Sequence, residues 1–174
     1  MFKEERSESL FDWDMIGDVA QGRPNLGGAM DVSVYRLMQF TLRDVIIQEF
    51  DTQTADRIYF KAGKLAGTQF CRKLMDKTLE FQEFVRQAQD LLSTLKIGIL
   101  RVEHSDMDKM EFTLTVAEDL DCSGLPVTNE TICTYDEGFL AGLLEEYSGR
   151  PFAVKEVDCW CSGDRVCRFD VRPE

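Results

Sequence analysis

The sequence predicts an α+β fold: N-terminal helices packed on an antiparallel sheet of about four strands, with a helix between the two hairpins. Three observations predict it. Apolar residues recur at helical spacing until residue 96, where the period changes from 3.6 to 2. A helical stretch then returns between residues 134 and 147, bounded by Ser-Gly-Arg-Pro at 148–151. The chain closes on two short strands turned by Ser162-Gly163-Asp164.

Each element can be justified in order. Residues 1–21 begin polar and then read Leu10, Phe11, Trp13, Met15 and Ile16, too short for an independent unit. They are expected to form an arm on the body or on a partner chain, leaving residues 22–174 as one domain. Gly and Pro in GRPNLGG (22–28) make a loop. Asp31 then caps a helix carrying Val34, Leu37, Met38, Leu42, Val45 and Ile46. A second helix from about Thr54 carries Ala62, Gly63, Ala66 and Gly67. A third follows Thr78 and presents Phe81, Phe84, Val85, Ala88, Leu91, Leu92 and Leu95. Residues 97–104 form a strand, HSDMDK a hairpin loop, and Met110–Val116 a strand with one buried face. Thr134 and Glu137 have the spacing of a capping box at the start of the fourth helix. Residues 152–160 and 165–172 make the closing hairpin.

Composition restricts the function. An apolar share of 44% suits a folded domain, and no run of 18 apolar residues crosses a membrane. The formal charge of −12 opposes binding to phosphate backbones and anionic membranes, so neither nucleic acid nor membrane is expected as a partner. MFKEERSESL mixes charges without an apolar core, so no signal peptide and a cytoplasmic location are expected.

Of six cysteines, Cys71 and Cys122 stand alone, whereas Cys133, Cys159, Cys161 and Cys167 fall in the last 42 residues. Cys133 precedes a helix N-terminus, which favours a thiolate, and a hairpin brings the other three within reach of one another. Such thiols are either small buried hydrophobes or ligands of a tetrahedral zinc. The segment from Cys133 to Val171 resembles the C-terminal signature of the 4-vinyl reductase domain family, through Cys133, Gly138, Gly142, Glu156, Cys159, Gly163, Asp164, Cys167 and Phe169. GRPNLG and KAGKLAG resemble its N-terminal half. The family includes sensor domains of aromatic-responsive activators and is related in fold to small TRAPP subunits and to ligand-binding domains of NO signalling.

That resemblance implies zinc on Cys133, Glu156, Cys159 and Cys167, a structural site with four protein ligands and no open position. Strict alternation puts Glu156 and Cys159 on opposite faces of a strand, so using both requires a bulge. Cys161 is the competing ligand. The resemblance also implies a bound apolar, aromatic or hydrocarbon-like molecule between sheet and helices. Phe84, Phe112, Leu114, Phe139 and Phe152 are the pocket candidates, with Tyr35, Tyr59 or Tyr135 as a polar anchor. Related sensors dimerise, and Phe11, Trp13 and Ile16 could serve a homodimer; with no output domain in this chain, a signal would pass to a downstream protein.

An enzyme that reduces a tetrapyrrole vinyl group, or its accessory carrier, is the alternative the family name raises. No G-x-G-x-x-G or Walker loop supplies a hydride cofactor or nucleotide. His104 is the single histidine and lies in a strand end apart from any nucleophile, so no catalytic residue is expected. Gly63 and Gly67 allow either close helix packing or room for a ligand, and Glu118, Asp119 and Asp121 read as a solvated loop.

Overall fold

The computed structural model describes residues 3–174. A 3-10 turn (Trp13–Ile16) and the single turn α1 (Val19–Gly22) lead into three long helices, α2 (Val32–Glu49), α3 (Thr52–Leu74) and α4 (Phe81–Thr94). Strands β1 (Ile99–Asp106) and β2 (Glu111–Ala117) precede α5 (Thr134–Ser148). The chain ends on β3 (Phe152–Asp158), a 3-10 turn (Trp160–Ser162) and β4 (Cys167–Pro173). The expected α+β order is present.

All strand pairs are antiparallel, in the order β1-β2-β4-β3. Alternate residues therefore share a face: Phe112, Leu114 and Val116 of β2 and Cys167, Phe169 and Val171 of β4 point into the core. The helices α4 and α5 cover that face. Phe84, Ala88 and Leu92 are the buried stripe of α4, at spacings of four.

The closest approach in the molecule is between α3 and α5. Gly63 and Gly67 lie on one face of α3, Gly138 and Gly142 on the facing side of α5. A Cβ at Gly63 would run into the Tyr135 carbonyl, and one at Gly67 into that of Phe139. Reciprocally, Gly138 faces the Phe60 carbonyl and Gly142 that of Lys64. Both numberings rise together, so the helices run parallel, backbone against backbone. Of the two readings of this small-residue face, close packing is the one the molecule uses. Arg72 and Lys77 reach Glu146 at 2.9 and 2.7 Å and close the C-terminal end of the contact.

Several boundaries differ from the sequence reading for local reasons. The Asp106 carboxylate accepts the Lys109 N–H at 3.1 Å, so β1 runs on through His104 to Asp106 and the hairpin loop shrinks. The capping box on α5 does not form: Cys133 is the N-cap without a side-chain cap bond. Glu137 Oε1 instead accepts the Glu156 N–H at 2.9 Å and Lys155 Nζ at 2.8 Å, tying α5 to β3. The N-terminal arm lies on its own body, with the Trp13 N–H donating to Gln69 Oε1 at 3.1 Å and its ring 6.5 Å from Phe70.

The α3–α5 contact leaves no space for a methyl group. Gly67→Ala is expected to lower unfolding free energy by about 2–3 kcal/mol or more, because backbone rather than a side-chain end must yield. Gly22→Ala, with nothing within 4 Å, is expected to cost nothing measurable. Urea denaturation of the two variants checks this.

Candidate metal centre and apolar cavity

The thiols are brought together by three elements. Cys133 is the N-cap of α5, Cys159 follows the end of β3, and Cys167 opens β4. The β3–β4 register shifts between Glu156 and Asp158, and this bulge lets Glu156 and Cys159 both face inward, 3% and 0% exposed. The requirement raised by strict alternation is thus met in the backbone.

The fourth sulfur belongs to Cys122. The Sγ atoms of Cys122, Cys133, Cys159 and Cys167 all lie within 4.8 Å of one another, and all four side chains are buried. Cys133 Sγ is 3.9 Å from Cys159 Sγ and 3.7 Å from Cys167 Sγ, while Cys122 and Cys167 are 3.0 Å apart. A tetrahedron with metal–sulfur bonds of about 2.3 Å has edges of about 3.8 Å, so two of these separations already match one metal ion. All six cysteines are free thiols.

Glu156 stands next to this group in another role. Its Oε2 accepts the Cys133 N–H at 2.9 Å, orienting the residue that begins α5. Its Oε1 is buried without a hydrogen-bond partner among the described residues, and burial pushes the carboxyl up to about 8. Cys161 is buried in the 3-10 turn, and its carbonyl accepts the N–H groups of Thr128 and Asn129, each at 2.9 Å. It is not among the four clustered thiols. The sequence reading missed Cys122 because it stands alone between elements. The signal was in the register: Val116 pairs with Cys167, so the chain leaving β2 passes beside Cys167 within a few residues.

Four sulfurs this close cannot all carry charge unless a cation stands among them. The thiols of Cys122, Cys133 and Cys167 donate toward Cys159 and pull its thiol far below the ordinary range. Cys133 is pushed far above it, first by its sulfur neighbours and then by burial. One thiolate among shared protons is the metal-free arrangement, and a divalent cation would displace those protons.

The segment carrying Cys122 corrects another expectation. Asp119 and Asp121 are not solvated: they are 3% and 4% exposed. Asp119 Oδ1 accepts the N–H groups of Asp121 and Cys122 at 2.8 and 3.1 Å. Asp121 accepts Tyr35 Oη at 2.7 Å and Gln39 Nε2 at 2.8 Å. Arg36 donates to the carbonyls of Leu120 and Ser123 at 2.8 and 2.9 Å. Burial, then the neighbouring Asp121, pushes the Asp119 carboxyl up to about 7. Two of the candidate anchors are thereby committed, Tyr35 to Asp121 and Tyr59 to the Gln39 carbonyl. None of the three, Tyr135 included, lines the apolar cavity described next.

Between α4, α5 and the inner face of β1 and β2 lies a cavity of about 20 Å³ with a wholly apolar lining. Of the pocket candidates, Phe84, Phe112 and Leu114 line it. Phe139 does not: it turns to the α3 side, its ring 5.2 Å from Phe70. Phe152 does not either, because its β3 position is covered by the core at 1% exposure. At one end Phe81 stacks on Phe112 at 4.8 Å and Phe84 on Tyr147 at 3.9 Å. Among the described residues no helix is long and apolar enough to cross a membrane.

Residues 112–173 match the vinyl-4-reductase domain, and the expected family resemblance stands on that match. A protein of Methanocaldococcus jannaschii is 24% identical over 147 residues, covering 84% of this chain and 80% of that one. A second from the same organism is 28% identical over 119 residues, covering 68% and 65%. Solved structures share the fold. A vinyl-4-reductase family protein from M. jannaschii superposes with a TM-score of 0.62 at 16% identity, over 96% of this chain and 99% of that one. The phenol-responsive sensory domain of the transcription activator PoxR gives 0.66 at 13%, over 85% and 78%. Trafficking protein particle complex subunit 3 from Naegleria fowleri, covalently bound to palmitic acid, gives 0.65 at 13%, over 82% and 95%.

The burial of the thiols has a direct readout. In native protein none of the six cysteines is expected to react with Ellman's reagent within minutes, and six are expected after denaturation with chelator. Rapid labelling of any native thiol would contradict the packing described.

Proposed function

We propose that this chain is a small-molecule-binding domain for an apolar, hydrocarbon-like ligand, with one structural zinc ion held by Cys122, Cys133, Cys159 and Cys167. The observation that carries the ligand reading is the enclosed cavity under α4, whose lining is entirely apolar. Ligand pockets run to about 300 Å³ and more, so a cavity of about 20 Å³ must open to be used. The element to move is α4, held to the sheet by one stripe of Phe84, Ala88 and Leu92. Half-buried Phe81 stands at the cavity's end, where rotating its ring off Phe112 would widen the space.

The lining offers no hydrogen-bond donor to a phenolic hydroxyl. The hydroxyl of nearby Tyr147 is committed to the Leu79 carbonyl at 2.9 Å. An aliphatic chain or plain aromatic hydrocarbon suits such a surface better than a phenol. The ligands named for two of the structural relatives, phenol and palmitic acid, support an apolar occupant in general terms. In this reading the chain binds without chemical transformation and passes its state to a partner protein.

The thiol set fits zinc through donor type, spacing and closure: four sulfurs, edges near the tetrahedral value, and no open coordination position. When bound, the ion would supply folding energy rather than redox or Lewis-acid chemistry. Cys133 would fix the start of α5, Cys159 and Cys167 the closing hairpin, and Cys122 the buried acidic loop. Glu156, outside that set, positions Cys133 through its N–H.

Two measurements test this. Protein prepared in metal-free buffers is expected to contain about one zinc per chain, the stoichiometry of one four-ligand site. Cys122→Ser should lose most of it and unfold at lower temperature, and Glu156→Gln should retain it. The reverse pattern would make Glu156 the fourth ligand. A thermal-shift screen should find alkyl-chain or aromatic hydrocarbons that raise the melting temperature by mass action, and Ala88→Trp, which fills the cavity, should abolish the shift. Conversion of any hit in the presence of NADPH would overturn the binding-only reading.

A further inference from the structure

The helix α2 has 18 residues and not one of them is buried. Its inner side is polar and held to the body through Tyr35, Arg36 and Gln39. Its outer side carries Val34, Leu37, Met38, Leu42 and Val45, each 51–67% exposed. The stripe that predicts the helix is therefore not the one by which it packs on its own chain. Helices of this length depend on burying an apolar stripe against something, and a contiguous apolar patch of this kind is rarely left open on a monomer.

The spacing says what kind of cover it takes. Positions 34, 38, 41 and 45 alternate steps of four and three, the seam by which one helix packs along another. Leu37 and Leu42 flank the seam, and small Thr41 sits at its middle. Charge says which partner. In a chain of net charge −12, this face is almost free of carboxylates. Arg43 turns aside to Asp56, and Asp44 lies at the seam's edge. Two copies could meet here without opposing acids, which most other faces forbid.

We propose that the outer face of α2 pairs with the same face of a second copy, antiparallel, about a two-fold axis at Thr41. In that register Leu37 of one copy meets Val45 of the other, and Asp44 meets Met38 rather than its own equivalent. Phe50, 69% exposed just past the helix end, falls beside Val32 of the second copy, itself 45% exposed. Each end of the helix thus finds the apolar residue it lacks, as a self-complementary interface requires. The proposal deepens the sensor reading by placing its dimer contact, and it does not need the cavity or the metal to be as described.

Sedimentation and crosslinking of the full chain test it. Wild type should sediment at twice the 20.0 kDa chain mass at micromolar concentration. Leu37→Glu should sediment as a monomer with unchanged circular dichroism and unchanged metal content. Because the native cysteines are buried, a short bis-maleimide should join Thr41→Cys copies and leave Val34→Cys copies unjoined. The axis would separate the latter by about 21 Å at 1.5 Å rise per residue. A monomeric wild type, a dimeric Leu37→Glu protein, or efficient joining through position 34 but not 41 would each overturn the proposal.

Discussion

The backbone contact between α3 and α5 is the constraint on which the rest of the structure depends. Two glycines on each helix remove the side chains that normally hold helices 8–10 Å apart. The approach costs helix propensity, about 1 kcal/mol for each glycine relative to alanine. What it yields is a fixed axial register, because each missing Cβ faces a carbonyl of the other helix. A slide by one residue would bring side chains against backbone. The position of α5 along α3 is therefore set to within a fraction of a turn, and with it the position of Cys133 at the α5 N-terminus.

From there the ordering passes to the sheet. The first turn of α5 carries Glu137, which accepts from the backbone of Glu156, and Glu156 in turn accepts from Cys133. These reciprocal bonds between α5 and β3 hold the bulged end of that strand, where Cys159 turns inward. Neither carboxylate can be read as surface charge: both residues are nearly fully buried, at 6% and 3% exposure. A buried acid is tolerated when it satisfies backbone donors, and here it does so at the strand end that must deform. The bulge that brings Glu156 and Cys159 to one face and the thiol cluster are parts of one arrangement.

How legible this was in the sequence depended on whether a feature was periodic. The change of period at residue 96 and the Ser-Gly-Arg-Pro stop marked elements correctly, because secondary structure leaves repeats in the chain. The convergence of Cys133, Cys159 and Cys167 followed from their places at element ends. Cys122 was not legible by itself, since it lies in no periodic segment and reaches the cluster only through the β2–β4 register. The acids at 119 and 121 misled for a related reason: AEDLD has the composition of a solvated loop, and only the donors on α2 make its burial affordable. The pocket candidates divided similarly. Alternation along β2 identified Phe112 and Leu114, whereas Phe139 lies on a helix whose opposite sides both face protein.

The helix α2 shows why a sequence stripe and a buried face need not coincide. Periodicity reports that Val34, Leu37, Met38, Leu42 and Val45 share one side, and does not say whose surface covers them. Within this chain the polar side does the anchoring, and it anchors to the loop that carries Cys122. The helix is thus held on one side by the same segment that contributes a thiol to the cluster, and exposes its apolar side away from it. Any change in how residues 119–123 are seated must alter the donors Tyr35, Arg36 and Gln39, and so the angle at which α2 presents its outer face. In a chain whose cavity, thiols and glycine contact are all enclosed, that face is the large apolar surface through which the state of the interior can be conveyed outward.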